Sequence, residues 1–168
     1  MRVRELSDRI VRTVRGPMWH GNAVLEQLAG VSAEDAAEHP IPGAHSIWEL
    51  VAHVTSWAEI ARQRMAGRAP GEATPDQDWP ALPQPTESNW HTALARLEES
   101  HRALASDVAK LDDAALAAMV PGREYSAWEL LHGVVEHGTY HGGQIALLKR
   151  ALAAMPARNR WPLHPESR

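Results

Sequence analysis

The chain has 168 residues, enough for one domain with a sizeable core, and its formal net charge of −4 gives no electrostatic case for nucleic acid or an anionic membrane as partner. It contains no cysteine, which excludes disulfides, thiolate ligands and a cysteine nucleophile, and no apolar run approaches the ~18 residues that span a bilayer. Ala, Leu, Arg and Glu outweigh the β-branched residues, so an all-α protein is expected; the charged N-terminal segment lacks the apolar centre of a signal peptide, which predicts a cytoplasmic location.

The first predicted helix covers residues 4–29, where Leu6, Ile10, Val14, Val24 and Leu28 keep a helical period. Pro17 cannot donate to the carbonyl of Thr13, so this helix should kink at Gly16-Pro17 or properly begin there, and Gly30 stops it. Ser32 caps a short turn, Pro40-Ile41-Pro42-Gly43 forces a loop, and Ser46-Ile47-Trp48-Glu49 is a capping box that opens a second helix over 46–66.

Residues 67–85 hold Gly67, Gly71 and five prolines, a long irregular connection. Such a segment can cross the ~30 Å length of a twenty-residue helix, so the third helix can start beside the beginning of the second and run parallel to it. Trp79, Asp76 and Asp78 in this crossover either close the open end of a bundle and shape a pocket, or belong to a plain spacer. The third helix, 86–110, has a seam of Trp90, Leu94, Leu97, His101, Leu104 and Val108 with steps of four and three. Asp112 caps a second short turn, Pro121-Gly122 interrupts, and Ser126-Ala127-Trp128-Glu129 is a second capping box. It opens a fourth helix over 126–154, ended by Pro156; residues 156–168 form a loosely held tail.

Ser46-Ile-Trp-Glu-Leu50 matches Ser126-Ala-Trp-Glu-Leu130 at an offset of 80, and Ser32 and Asp112 are separated by the same 80. Two helical hairpins joined by a crossover follow, a single four-helix bundle domain over 1–155.

The fourth helix carries the chemistry. Leu130, Val134, His137, His141, Ile145, Leu148 and Leu152 form one stripe, so two imidazoles interrupt an apolar seam, where unbonded polar groups are costly. H-x-x-x-H is a weak motif alone, but His53 borders the apolar face of the second helix beside Leu50, Val54 and Trp57. Three histidines from two helices can make an open three-nitrogen metal site, the pattern of a catalytic rather than a closed structural centre; the alternative is that His137 and His141 are hydrogen-bonded residues near the bundle's mouth. His101 also occupies a seam position and competes as a ligand, or is a hydrogen-bonded core histidine. His132 and Glu136 read as a surface or supporting pair, and His20, His39, His45, His91 and His164 as solvated. No GxSxG, Walker-type, GxGxxG or HExxH sequence occurs, and no carboxylate lies clearly in the histidine-bearing seam.

Together these segments resemble the DinB/YfiT-like superfamily of four-helix metalloproteins. Trp19-His-Gly-Asn-Ala-Val-Leu25 is similar to its W-x-x-N-x-x-L segment, and Gly43 to His53 to the loop and cap leading to its first ligand. His137-Gly-Thr-Tyr-His-Gly-Gly-Gln-Ile145 is similar to its H-x-x-x-H-R-G-Q-I, with Gly142 where the family often has arginine. The resemblance implies an up-down-down-up bundle with a long crossover between the second and third helices, and one divalent ion (Zn, Ni or Fe) on His53, His137 and His141, leaving His101 out. It also implies a homodimer and transfer of a low-molecular-weight thiol cosubstrate onto a small-molecule electrophile in stress or detoxification. Metal-dependent hydrolysis and a non-enzymatic metal- or ligand-binding bundle are the alternatives. Glu136, Tyr140 and Gln144 lie near the ligands in sequence, and no general acid or base is assigned.

Overall fold

A computed structural model describes residues 2–69 and 71–155; the predicted tail, Pro156 and His164 lie outside them. In chain order the helices are α1 (Arg2–Arg15), α2 (Val24–Leu28), α3 (Ala33–Ala37), α4 (Ile47–Met65), α5 (Pro75–Asp78), α6 (Glu87–Val108), α7 (Asp113–Ala117) and α8 (Ala127–Ala154). The protein is all-α: among the described residues no strand forms, only isolated bridges joining Met18 to Gly21 and Met119 to Ser126. No described helix is long and apolar enough to cross a membrane.

The expected first helix over 4–29 is corrected. It ends at Arg15, residues 16–23 are irregular, and only one further turn, α2, follows. Gly16 takes φ +79°, and a Cβ there would stand 2.8 Å from the Glu26 carboxylate, so glycine alone fits this turn. Pro17 has no N–H with which to continue the helix, while Arg12 Nε donates to the Pro17 carbonyl at 2.8 Å as the chain leaves helical register.

α1 and α4 each pack against both α6 and α8. Trp48 meets Trp90 at the start of α4 and α6, and Arg62 pairs with Asp107 near their ends, so these two helices run the same way. Arg15 pairs with Glu98 and Ser7 Oγ donates to the Ala105 carbonyl, which sets α1 against that direction.

The buried apolar residues fall into two clusters. One contains Val14, Trp48, Val51, Trp90, Leu97, Ile145 and Leu148; the other contains Ile10, Ala58, Leu104, Leu131 and Val134. Leu131, fully buried, takes the core position expected of Leu130, whose side chain is only partly buried. Between the clusters along the chain stand Thr13 on α1, His101 on α6, and His137 and His141 on α8, a polar layer across the middle of an apolar core.

At this level α1 and α8 approach closely, because a Cβ on Gly138 would lie 2.5 Å from Thr13 Cγ2. Overpacking costs about 1–3 kcal/mol, and ~1 kcal/mol of helix propensity offsets part of it. Gly138→Ala should therefore lower stability by about 1–2 kcal/mol in urea unfolding, and adding Thr13→Ser, which deletes the offending methyl, should restore it. An unchanged midpoint in the single variant would disprove the close approach.

Candidate metal centre

Each half of the site is registered by a capping box. Ser46 Oγ accepts from Glu49 N (3.1 Å) while the Glu49 carboxylate accepts from Ser46 N (2.7 Å), and Ser126 and Glu129 repeat the exchange at 3.2 and 2.7 Å. From these fixed starts the helical period carries His53 of α4 to face His137 and His141 of α8. His137 Nε2 lies 2.9 Å from His53 Nε2 and 3.0 Å from His141 Nε2. These are the one group of three candidate ligand side chains among the described residues whose donor atoms converge, all within 4.8 Å.

Tautomers decide what such a cluster suits. His53 Nδ1 is 2.7 Å from the Asp78 carbonyl, which only accepts, so Nδ1 carries the proton and Nε2 a lone pair. His141 Nδ1 is 2.6 Å from Gln144 Oε1, with Gln144 Nε2 donating to the Tyr140 hydroxyl, so His141 Nε2 likewise presents a lone pair. Two lone pairs thus face the one Nε2 of His137, which holds at most one proton to share between them. A cation satisfies all three, and a second nitrogen bonded to a carbonyl is the usual support of a metal-bound histidine. The residues present fit a divalent metal.

Burial pushes the His137 imidazole down to about 3, helped by the neighbouring His141 and His53. Burial also lowers His53 and His141, against the pull of Asp78 and of Gln144 respectively. The ligand set is thereby neutral at ordinary pH, ready for a metal without displacing protons.

His101 stays outside the cluster. Its Nδ1–H is spent on the Leu97 carbonyl at 2.9 Å, its buried Nε2 has no hydrogen-bond partner among the described residues, and burial pushes it down to about 4. The unfolded chain protonates both His101 and His137 near 6.5, whereas the folded metal-free chain refuses those protons until about 4 and about 3. Stability is then complete above pH ~6.5 and falls as pH drops through the window to ~3, where folded and unfolded chains bind protons alike. Urea midpoints of the metal-free protein should decline between pH 7.5 and 4.5, and a flat profile would contradict the burial of these rings.

The family model of the DinB superfamily matches residues 19–145, a span that contains all three clustered histidines. The chain belongs to the DinB superfamily. No curated protein and no solved structure matches it.

Two features of this DinB-like site escape periodicity because they come from the crossover and the loop before α4. α5 is pinned to α4: the Trp57 indole donates to Asp78 Oδ1 at 2.7 Å, and Ser56 Oγ donates to the Gln77 carbonyl. That places Trp79 flat on His53, with ring centroids 4.0 Å apart, and His45 stacks on Trp79 at 3.5 Å. His45 and His39 are exposed, as expected, yet each has a partner: His45 stacks on Trp79, and His39 Nε2 lies 3.0 Å from the Glu49 carboxylate. His132 packs on Trp128 at 4.2 Å. Asp78 supplies the carboxylate that the helical seams lack, 3.4 Å from His53 Nδ1. Gly142 is buried, and a Cβ there would face Val24 Cγ2 at 3.6 Å.

Two cavities reach the cluster. One, about 480 Å³, opens on His53 and His137 between Trp57, Asp78 and Val134. The other, about 460 Å³, opens on His141 between His45, Trp79, Tyr140 and Gln144. They share no lining residue, and Asp78-Trp79 contributes one residue to each.

Proposed function

We propose that the protein binds one divalent metal on His53, His137 and His141 and transfers a low-molecular-weight thiol onto an electrophilic small molecule. The presence of two separate cavities meeting at one cluster carries this reading, since a transfer needs both partners at the reacting centre while a hydrolase needs room for one substrate and water. A divalent ion held by three neutral imidazoles keeps its full charge and supplies a Lewis acid that favours thiolate over thiol. The chain has no cysteine, so the thiol is a cosubstrate. In the transfer its S–H bond breaks with the proton passing to solvent, and the sulfur bonds to the electrophilic carbon as the bond from that carbon to its leaving group breaks, the leaving group taking the electron pair.

The chain's own residues position and shield. The Asp78 carbonyl and the Gln144 amide hold His53 and His141 in the tautomers that present Nε2, and the Trp79 ring covers one face of His53 from water. Hydrolysis is the second reading, favoured by Asp78, whose carboxylate lines the larger cavity beside the cluster as a candidate base.

A conjugation assay on metal-loaded protein, with several biological thiols and a generic electrophile, tests the first reading. Thiol-dependent product that disappears in His53→Ala supports it. Turnover of an ester or amide without thiol would replace it with the hydrolase, and silence in both would leave a metal- or ligand-binding bundle.

A further inference from the structure

We propose that the far end of the larger cavity is a carboxylate-recognition site built from Arg64 and Tyr125, so that the substrate entering from the His53–His137 side is a small apolar carboxylic acid. This deepens the reading above and rests on it for the identity of that cavity as a substrate site.

Arg64 sits in the last turn of α4, where a charged residue ordinarily reaches solvent, yet it is 5 % exposed and lines the cavity. Such burial of a guanidinium demands compensation. Little is present. Nη1 donates to the Tyr125 hydroxyl at 3.0 Å, while Nε and Nη2 are buried without a hydrogen-bond partner among the described residues. The Trp57 ring lies 5.3 Å from Arg64 Cζ and holds the guanidinium in place without neutralising it.

The nearest carboxylate among the described residues is Glu72, 4.0 Å from Nη2 and 85 % exposed, beyond hydrogen-bond reach. Glu72 is also engaged by Arg123, so two guanidiniums share one carboxylate and a positive charge is left over. Tyr125 accepts from Arg64, which leaves its own hydroxyl proton to donate, and it lines the same cavity.

Two other carboxylates line the walls and keep their charge, each turned to a neutral donor of its own: Asp78 accepts from the Trp57 indole, and Glu129 accepts from Ser126 N and Oγ. Recognition of an anion therefore depends on direct contact with Arg64 and Tyr125 rather than on the net charge of the cavity. The remaining wall is apolar, with Leu130 and Val134. A cavity with a cation and a free hydroxyl at one end, an apolar middle and a metal-competent cluster at the other suits a carboxylate head on a short hydrophobic body.

Benzoate and its neutral isostere benzamide are suitable probes, titrated calorimetrically into the metal-loaded full chain. Benzoate should bind at least ten-fold more tightly than benzamide. Arg64→Met should weaken benzoate about 10- to 100-fold and leave benzamide unchanged, and Tyr125→Phe, which preserves the ring, should weaken benzoate by a smaller factor. Equal benzoate affinity in the parent chain and both variants, or no binding by the parent chain, would overturn the proposal. If Arg64→Met fails to fold, Tyr125→Phe decides it. Because this readout needs no turnover, benzoate binding with silent thiol assays would remove the transferase reading alone, and thiol transfer without Arg64- or Tyr125-dependent binding would remove this one alone.

Discussion

A His137→Ala chain should carry less than a tenth of the metal held by the parent chain when both are purified without an affinity tag. His137 Nε2 is the common neighbour of the other two ligand nitrogens, at 2.9 and 3.0 Å, so its loss removes a donor from the middle of the cluster. Removing a group that merely orients a ligand costs about 10–100-fold in metal affinity, so removing a ligand should cost more than about 100-fold. Elemental analysis measures it, and stoichiometric metal in the variant would mean that the triad is wrong.

The same substitution separates loss of a ligand from loss of the fold. In the metal-free parent chain His137 resists protonation to about 3, a liability in acid. Deleting it should leave the metal-free variant no less stable at pH 5 than its metal-free parent, although the metal-loaded parent gains stability that the variant cannot. A variant that is destabilised at every pH and metal load would be a folding defect instead.

Trp90→Ala should cost about 3–5 kcal/mol, a large share of the 5–15 kcal/mol that holds a typical domain together. Trp90 is 1 % exposed, tilts against Trp48 with centroids 5.0 Å apart, and donates its indole N–H to the Val31 carbonyl at 2.9 Å. One side chain thus ties α6 to α4 and to the segment between α2 and α3. Alanine opens a cavity and strands a carbonyl, whereas Trp90→Phe keeps most of the volume and should lose only about 1–2 kcal/mol. Urea unfolding compares the three chains, and equal losses in both variants would show that packing contributes little beyond the hydrogen bond.

Much of the architecture was legible because it rests on local chemistry. The Ser46 and Ser126 capping boxes announce α4 and α8, and the period of α8 puts His137 and His141 on one side of a helix. His53 was legible for the same reason. What periodicity does not encode is where a non-periodic segment goes, so Asp78 and Trp79 could be read as pocket-shaping or as spacer but not assigned to His53, and the stacking of His45 on Trp79 was not legible. Arg64 was missed for a different reason: an arginine near a helix end reads as a solvated charge, and only packing against Trp57 and Tyr125 buries it. The break after Arg15 was half legible, since Pro17 marked the position but the apolar spacing of Val24 and Leu28 continued across it.

The acceptor that fixes the His53 ring is the main-chain carbonyl of residue 78, a group that all twenty amino acids possess. No substitution at that position can delete it. The orientation of a ligand is thereby stored in the path of the backbone, and the crossover side chains other than Asp78, which pins α5 to α4, and Trp79, which covers His53, are left open to selection for other tasks, including which molecules the adjoining cavities admit. Insertion or deletion of a single residue between Thr74 and Trp79 would be a graver change to this site than most point mutations within it, because it would move the one contact that chemistry of the side chains cannot replace.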